Sequence, residues 1–280
     1  MRKIFLAIVV ATGLILSNCA KKSIDTTPII ETPEPKTYSY LPENLVARDD
    51  EKGITAQYVD TTLRYSHGIL GDNIEAGGLL VTKKGVPYYY KLSDASVFED
   101  LQPRLKDVDN DGELEFICIQ SSLTEGASVA IFKIIKGELQ LFAKSAFIGT
   151  PYRWLNIVAI EDLDNDGKVE IAWIQTPHIG GILKIARPEN GLLTPIVEKS
   201  GVTNHRIGSR NLCLSALTVV NGVKKAFAPS QSFDALIGFT FQNNTLTFTD
   251  TITKSINSDL PLVQQYNFMG LVVDKNCIFK

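Results

Sequence analysis

The chain has 280 residues, 28 Lys+Arg against 31 Asp+Glu, and 44% hydrophobic residues. Setting aside Arg2 and Lys3, 26 basic residues remain against the 31 acidic ones, a formal charge of −5. With no long basic run, nucleic acid is excluded as an expected partner.

Arg2 and Lys3 precede Ile4–Leu16, an uncharged, almost wholly apolar run of 13 residues. That is too short to span a bilayer and has the layout of a secretory signal peptide. Leu16-Ser17-Asn18-Cys19 follows at once and resembles the lipobox of bacterial lipoproteins. The resemblance implies cleavage after residue 18, lipidation of Cys19 and a bilayer partner. Ala20, in place of the Asp that favours inner-membrane retention in enteric bacteria, points to the outer membrane. Residues 20–43, rich in Thr, Pro and charge, read as an extended tether. The folded domain is expected over 44–280. Of the other cysteines, Cys118, Cys213 and Cys277 allow at most one disulfide, and Cys118 reads as a buried strand residue.

From residue 44 onward, short Val/Ile/Leu/Phe/Tyr runs alternate with Gly, Asn and Asp, and no convincing amphipathic helix occurs. Hairpin turns are predicted at Lys84-Gly85, Lys136-Gly137, Asn190-Gly191 and Asn243-Asn244, at a nearly even spacing of about 53 residues. A second landmark has a similar period. Asp107-Val108-Asp109-Asn110-Asp111-Gly112-Glu113-Leu114-Glu115 returns as Asp162-Leu163-Asp164-Asn165-Asp166-Gly167-Lys168-Val169-Glu170, about 55 residues later. One more step reaches Asn221-Gly222, which keeps the turn but not the acids, and a fourth copy is expected near Leu271–Phe279. About four strands per period predict an all-β propeller of four-stranded blades. Five blades are expected, with four as the alternative, the ring closed by N- and C-terminal strands; a sandwich or solenoid is the competing architecture.

The spacing Asp-x-Asp-x-Asp-Gly-x-x-Glu suits calcium, a hard ion that takes six to eight oxygens. Asp107, Asp109 and Asp111 supply positions one, three and five, Glu113 a backbone carbonyl at seven, and Glu115 a carboxylate at nine. Asp162, Asp164, Asp166, Lys168 and Glu170 repeat the set, so two ions are expected. An EF-hand would need Glu at position twelve, where Cys118 and Trp173 stand. These loops resemble the FG-GAP/VCBS repeats of integrin-α-type propellers, whose last ligand is Asp where this chain has Glu. Phe147-Ile148-Gly149-Thr150-Pro151 is a degenerate echo of the same family's signature. The resemblance implies calcium-stiffened blades and, commonly, surface binding roles.

No nucleophile motif appears, and His67, His178 and His205 lack metal-ligand spacing. His178 is expected to be solvated or capping. Tyr88-Tyr89-Tyr90, Tyr152-Arg153-Trp154 and Trp173 are expected mainly in packing, with sugar stacking as the functional alternative. The sequence thus predicts a non-catalytic, calcium-binding envelope lipoprotein acting as a binding or scaffold module for a glycan or protein ligand. The alternative is a polysaccharide-active enzyme, which would bring His178 or His205 beside Arg153 or Arg206.

Overall fold

A computed structural model describes residues 36–266. The leader, Cys19, most of the tether and the fourth-copy segment Leu271–Phe279 lie outside the described residues. The described chain is all-β apart from one short helix, α1 (Leu262–Gln265).

Four antiparallel four-stranded units follow one another. The first is β1 (Ala47–Asp49), β2 (Ile54–Thr62), β3 (Glu75–Lys83) and β4 (Val86–Lys91). In the second, the first strand is broken into β5 (Ser96–Phe98) and β6 (Arg104–Lys106), followed by β7 (Glu115–Ser122), β8 (Gly126–Ile135) and β9 (Glu138–Lys144). The third is β10 (Leu155–Glu161), β11 (Glu170–Gln175), β12 (Ile182–Glu189) and β13 (Leu192–Ser200). The fourth is β14 (Ala216–Val220), β15 (Val223–Pro229), β16 (Ala235–Gln242) and β17 (Thr245–Thr253). Single pairings, Ala76 with Phe98 and Leu192 with Lys144, join the first three units into one continuous network.

All four predicted hairpins are present, and their turn residues explain them. Lys84-Gly85, Lys136-Gly137, Asn190-Gly191 and Asn243-Asn244 all have positive φ, between 50° and 83°. Two consecutive left-handed residues match the twist of the flanking strands, and Gly and Asn bear that conformation at little cost.

The sheets stack face to face, which is why their strands are apolar on both sides. On β7, Ile117 and Ile119 pack with Leu155, Ile171 and Trp173 of the third unit. Their neighbours Phe116 and Cys118 pack the other way, against Leu79, Val81 and Phe98. On β11, Ile171 and Trp173 face the second unit, whereas Ala172 and Ile174 face Phe239 and Phe241 of the fourth. Each large buried apolar side chain contributes roughly 1.5–3 kcal/mol. Cys118 is a buried free thiol, as expected, and Cys213 is disulfide-bonded.

Two expectations change. The folded part reaches back to Tyr38 rather than residue 44. Tyr40 bridges Val59, Ser39 O accepts the Asp60 N–H at 2.8 Å, and Leu41 is buried. Tyr38, Tyr40 and Leu41 supply the apolar surface that the Thr/Pro-rich segment lacks. The N-terminal strands β1 and β2, from the end expected to help close the ring, pair within the first unit, and among the described residues no strand pairing joins the first unit to the fourth.

Candidate functional site

The two acidic loops connect the first and second strands of successive units, β6 to β7 and β10 to β11, and both are built the same way. Glu115 and Glu170 open their strands and are fully buried. One oxygen of each accepts a loop N–H, from Val108 at 2.8 Å and from Leu163 at 2.7 Å. Asp107 and Asp162 accept the Gly112 and Gly167 N–H groups at 2.9 and 3.0 Å, closing the turns where Gly takes φ of 89° and 87°. Carboxylate oxygens of Asp107, Asp109 and Glu115 thereby come within 4.8 Å of one another, and those of Asp162, Asp164 and Glu170 do the same. Either cluster could hold a metal ion. The loops also touch in sequence: Asn110 Nδ2 donates to Gly167 O at 2.7 Å, and Asn165 Nδ2 donates to Gly222 O at 3.1 Å.

A basic side chain from the third strand of each unit enters each cluster. Lys133 on β8 places Nζ 2.5 Å from Asp109, 2.8 Å from Asp111 and 2.8 Å from Glu115. Arg187 on β12 pairs with Glu170, with Asp164 at 3.1 Å and with Asp166 at 3.0 Å. Burial alone would lower the Lys133 pKa, but its hydrogen bonds to the three carboxylates raise it overall. Burial pushes Glu115 and Glu170 above the ordinary carboxylate range, offset in part by these cations and the loop N–H groups.

The clusters differ in one respect that bears on metal binding. Both oxygens of Asp162 accept backbone N–H groups, from Asp166 and Gly167. In the first loop, Asp107 Oδ1 is buried without a hydrogen-bond partner, whereas Glu115 Oε1 lies 2.8 Å from Lys133 Nζ. An unsatisfied buried carboxylate oxygen is costly, so the first loop is the one that leaves an acceptor open to a cation. Among the position-seven residues, Glu113 directs its carboxylate to Lys83, and Lys168 borders a surface depression with Arg187 and Asn244. Only their carbonyls remain for an ion.

Beyond the far ends of β10 and β11, the chain's three histidines gather. His67, Tyr152, Arg153, Trp154, Thr176 and His178 line a depression of about 150 Å³. His67 Nδ1 lies 2.5 Å from the fully buried carboxylate of Glu99, whose other oxygen accepts the Ser121 hydroxyl. His178 Nε2 lies 2.9 Å from His205 Nδ1, and His205 Nε2 lies 2.8 Å from Ser209 O. A carbonyl only accepts, so Nε2 of His205 carries hydrogen. Neutral His205 then accepts from His178 Nε2–H, leaving a lone pair on His178 Nδ1. Burial holds His205 down at about 3, and burial with the nearby His67 holds His178 at about 4. His178 is thus a half-buried, hydrogen-bonded group rather than the solvated or capping residue expected. Arg153 shares its depression, whereas Arg206 lies over the Phe233 ring. Trp154 and Trp173 are buried, in line with packing.

No protein-family profile and no curated protein matches the chain. Among solved structures it is similar to a rhamnogalacturonan lyase from Bacillus licheniformis, with 13% identity and a TM-score of 0.40 over 63% of this chain and 42% of that one. It is also similar to the rhamnogalacturonan lyase YesW, with 12% identity and a TM-score of 0.40 over 78% and 53%. The SREBP–SCAP binding domains of fission yeast give 10% identity and a TM-score of 0.34 over 90% and 69%. The chain spans about half the length of the lyases it matches.

Proposed function

We propose that this protein is a calcium-binding, propeller-type domain of the FG-GAP/VCBS kind, tethered to a bacterial outer membrane through lipidated Cys19 and acting there as a non-catalytic binding module. The observation that carries this is the repetition of one carboxylate cluster at equivalent corners of successive sheets, each with a buried Glu at position nine. Arrangement as a ring of blades is supported by the two-faced stacking of the units. It is also supported by Arg210, which precedes the fourth unit yet pairs with Glu43 and Asp72 flanking β1 and β2.

The carboxylates of Asp107, Asp109, Asp111 and Glu115, and their counterparts in the second loop, would hold the ions. Calcium would neutralise acids that otherwise repel. It enters against Lys133 or Arg187, which must swing aside. The first loop is the stronger site, because Asp107 Oδ1 has no partner there and because lysine is a point charge on a flexible stem. Calorimetric titration of chelator-treated protein tests this. Two calcium ions are expected, the tighter one lost in Asp107→Asn, with little heat from magnesium. Absence of calcium uptake by either loop overturns it.

The polysaccharide-active enzyme is favoured by one observation: His178 and Arg153 share one depression. It requires turnover of a polysaccharide by the purified protein that disappears in His178→Gln.

A further inference from the structure

We propose that the depression at the histidine end binds a single anionic sugar ring, a monosaccharide unit bearing a carboxylate, with Arg153 and His67 on its polar edge and Tyr152 under its apolar face. This deepens the binding role proposed above and is independent of the acidic loops. Trp154, lining the depression, and Asp162, in the second loop, flank opposite ends of β10, roughly 26 Å apart at ~3.3 Å per residue.

The backbone gives the first reason. Tyr152 and Thr176, both lining the depression, hold φ of 55° and 49°. A left-handed β-branched residue is a true outlier, and such conformations persist only where the surroundings impose them, often at ligand sites. The surroundings here are specific. A Cβ on Gly126 would come 2.3 Å from Thr150 O and 2.8 Å from Arg153 O. Only glycine lets the Tyr152 loop lie this close to β8. Tyr152 N–H donates to the Tyr65 hydroxyl at 2.8 Å, and the two rings stack with centroids 5.1 Å apart. Tyr152 is 49% exposed. It is a fixed, half-open aromatic platform that needs no ordering when a ring settles on it.

The polar groups define the ligand's chemistry. Buried Glu99 fixes His67 through Nδ1, and among the described residues Nε2 has no hydrogen-bond partner. His178 presents a lone pair at Nδ1. The Arg153 guanidinium donates only to Tyr152 O, at 3.0 Å, and no carboxylate among the described residues pairs with it. An unpaired guanidinium next to a hydrogen-bonding histidine suits a carboxylate. Ile179 and Ile207, 61% and 65% exposed at the rim, suit the apolar face of a ring. The depression, of about 150 Å³, is on the scale of a single sugar ring.

The chain has three histidines, all at this site, so their side-chain NMR signals report on it without assignment of the whole protein. The untagged full-length chain is titrated with glucuronate, glucose and benzoate, with calcium and again with chelator. Saturable shifts of the His67 and His178 signals with glucuronate are expected, at least about tenfold tighter than with glucose. Arg153→Gln is expected to remove that preference and Tyr152→Ala to weaken both sugars. Histidine signals unmoved by either sugar overturn the proposal, as does benzoate binding as tightly as glucuronate. Shifts that persist in chelator separate this site from the calcium proposal, whose failure would appear in calorimetry alone.

Discussion

The third and fourth units turn between their first two strands by different means. In the third, residues 162–169 loop out between β10 and β11 around buried Glu170 and the Arg187 guanidinium. In the fourth, β14 and β15 run on to a two-residue turn, Asn221-Gly222, with φ of 51° and 79°. Lys225 takes the place of Glu170, and it pairs with Asp250 at 2.6 Å near the surface. Two residues that tolerate positive φ are therefore enough to reverse the chain. The longer acidic loop is an addition that brings carboxylates together and must be neutralised, whether by a side chain or by an ion.

The largest effect should come from breaking the buried acid. Glu170→Ala takes from Arg187 one of its three carboxylate partners and leaves the buried Leu163 N–H without its acceptor, an expected loss of about 3 kcal/mol in urea unfolding. Lys225→Met in the fourth unit breaks a partly solvated pair and should cost below about 1 kcal/mol. Equal losses would erase the contrast between the units.

Next comes removal of the internal cations. Lys133→Met leaves Asp109, Asp111 and Glu115 facing one another, so Tm in chelator should drop and calcium should restore it. Calcium at about 100 times its Kd returns about 2.7 kcal/mol. Arg187→Met should behave likewise in the second loop. If neither variant's Tm responds to calcium, the loops are held by protein cations alone.

A smaller effect distinguishes the histidine end. The His178 and His205 pKa values, held at about 4 and about 3 mainly by burial, lie below the ordinary ~6.5. The unfolded chain therefore takes up protons that the folded one refuses. Stability present above pH 6.5 is lost as pH falls toward 4. Glu75, raised to about 10 mainly by burial and then by Glu99, acts oppositely, favouring the fold as pH falls. Comparing His178→Gln with the parent cancels that contribution. The variant should lose less Tm between pH 6.5 and 4, and an identical decline would refute the assignment.

The smallest effect concerns the loop-to-loop bonds. Asn110→Ala and Asn165→Ala should each cost about 0.5–1.5 kcal/mol by urea titration. A double-mutant cycle should give a non-zero coupling, because Gly167, which accepts from Asn110, lies in the same loop as Asn165.

What could be read from the sequence was local. Gly and Asn pairs announced the hairpins because their φ preferences act within a single turn. The acidic loops were visible because their ligands are close neighbours in the chain. Lys133 and Arg187 escaped notice because they stand far beyond Glu115 and Glu170, on the following strand, and only strand pairing brings them over the loops. A signal did exist: the two bases recur at close to the repeat interval, and superposing the periods would have matched them. The His67–Glu99 pair and the Tyr65–Tyr152 stack join different units and leave no such trace. The Tyr88–Tyr90 run behaved as strand residues do, Tyr90 packing on Phe132 and Tyr89 donating to Asp60.

Sheets that are oily on both sides have a consequence for how such a chain can be cut. Severing it between the second and third units would lay bare Ile117 and Ile119 on one piece and Ile171 and Trp173 on the other. Each fragment would carry a wet apolar wall and would clump. A protease nick at an outer hairpin such as Asn190-Gly191 parts no walls and would leave the two pieces clasped. Shortened versions of this protein should therefore keep whole neighbouring pairs of sheets, and gains in length are easiest to accommodate at the hairpin tips.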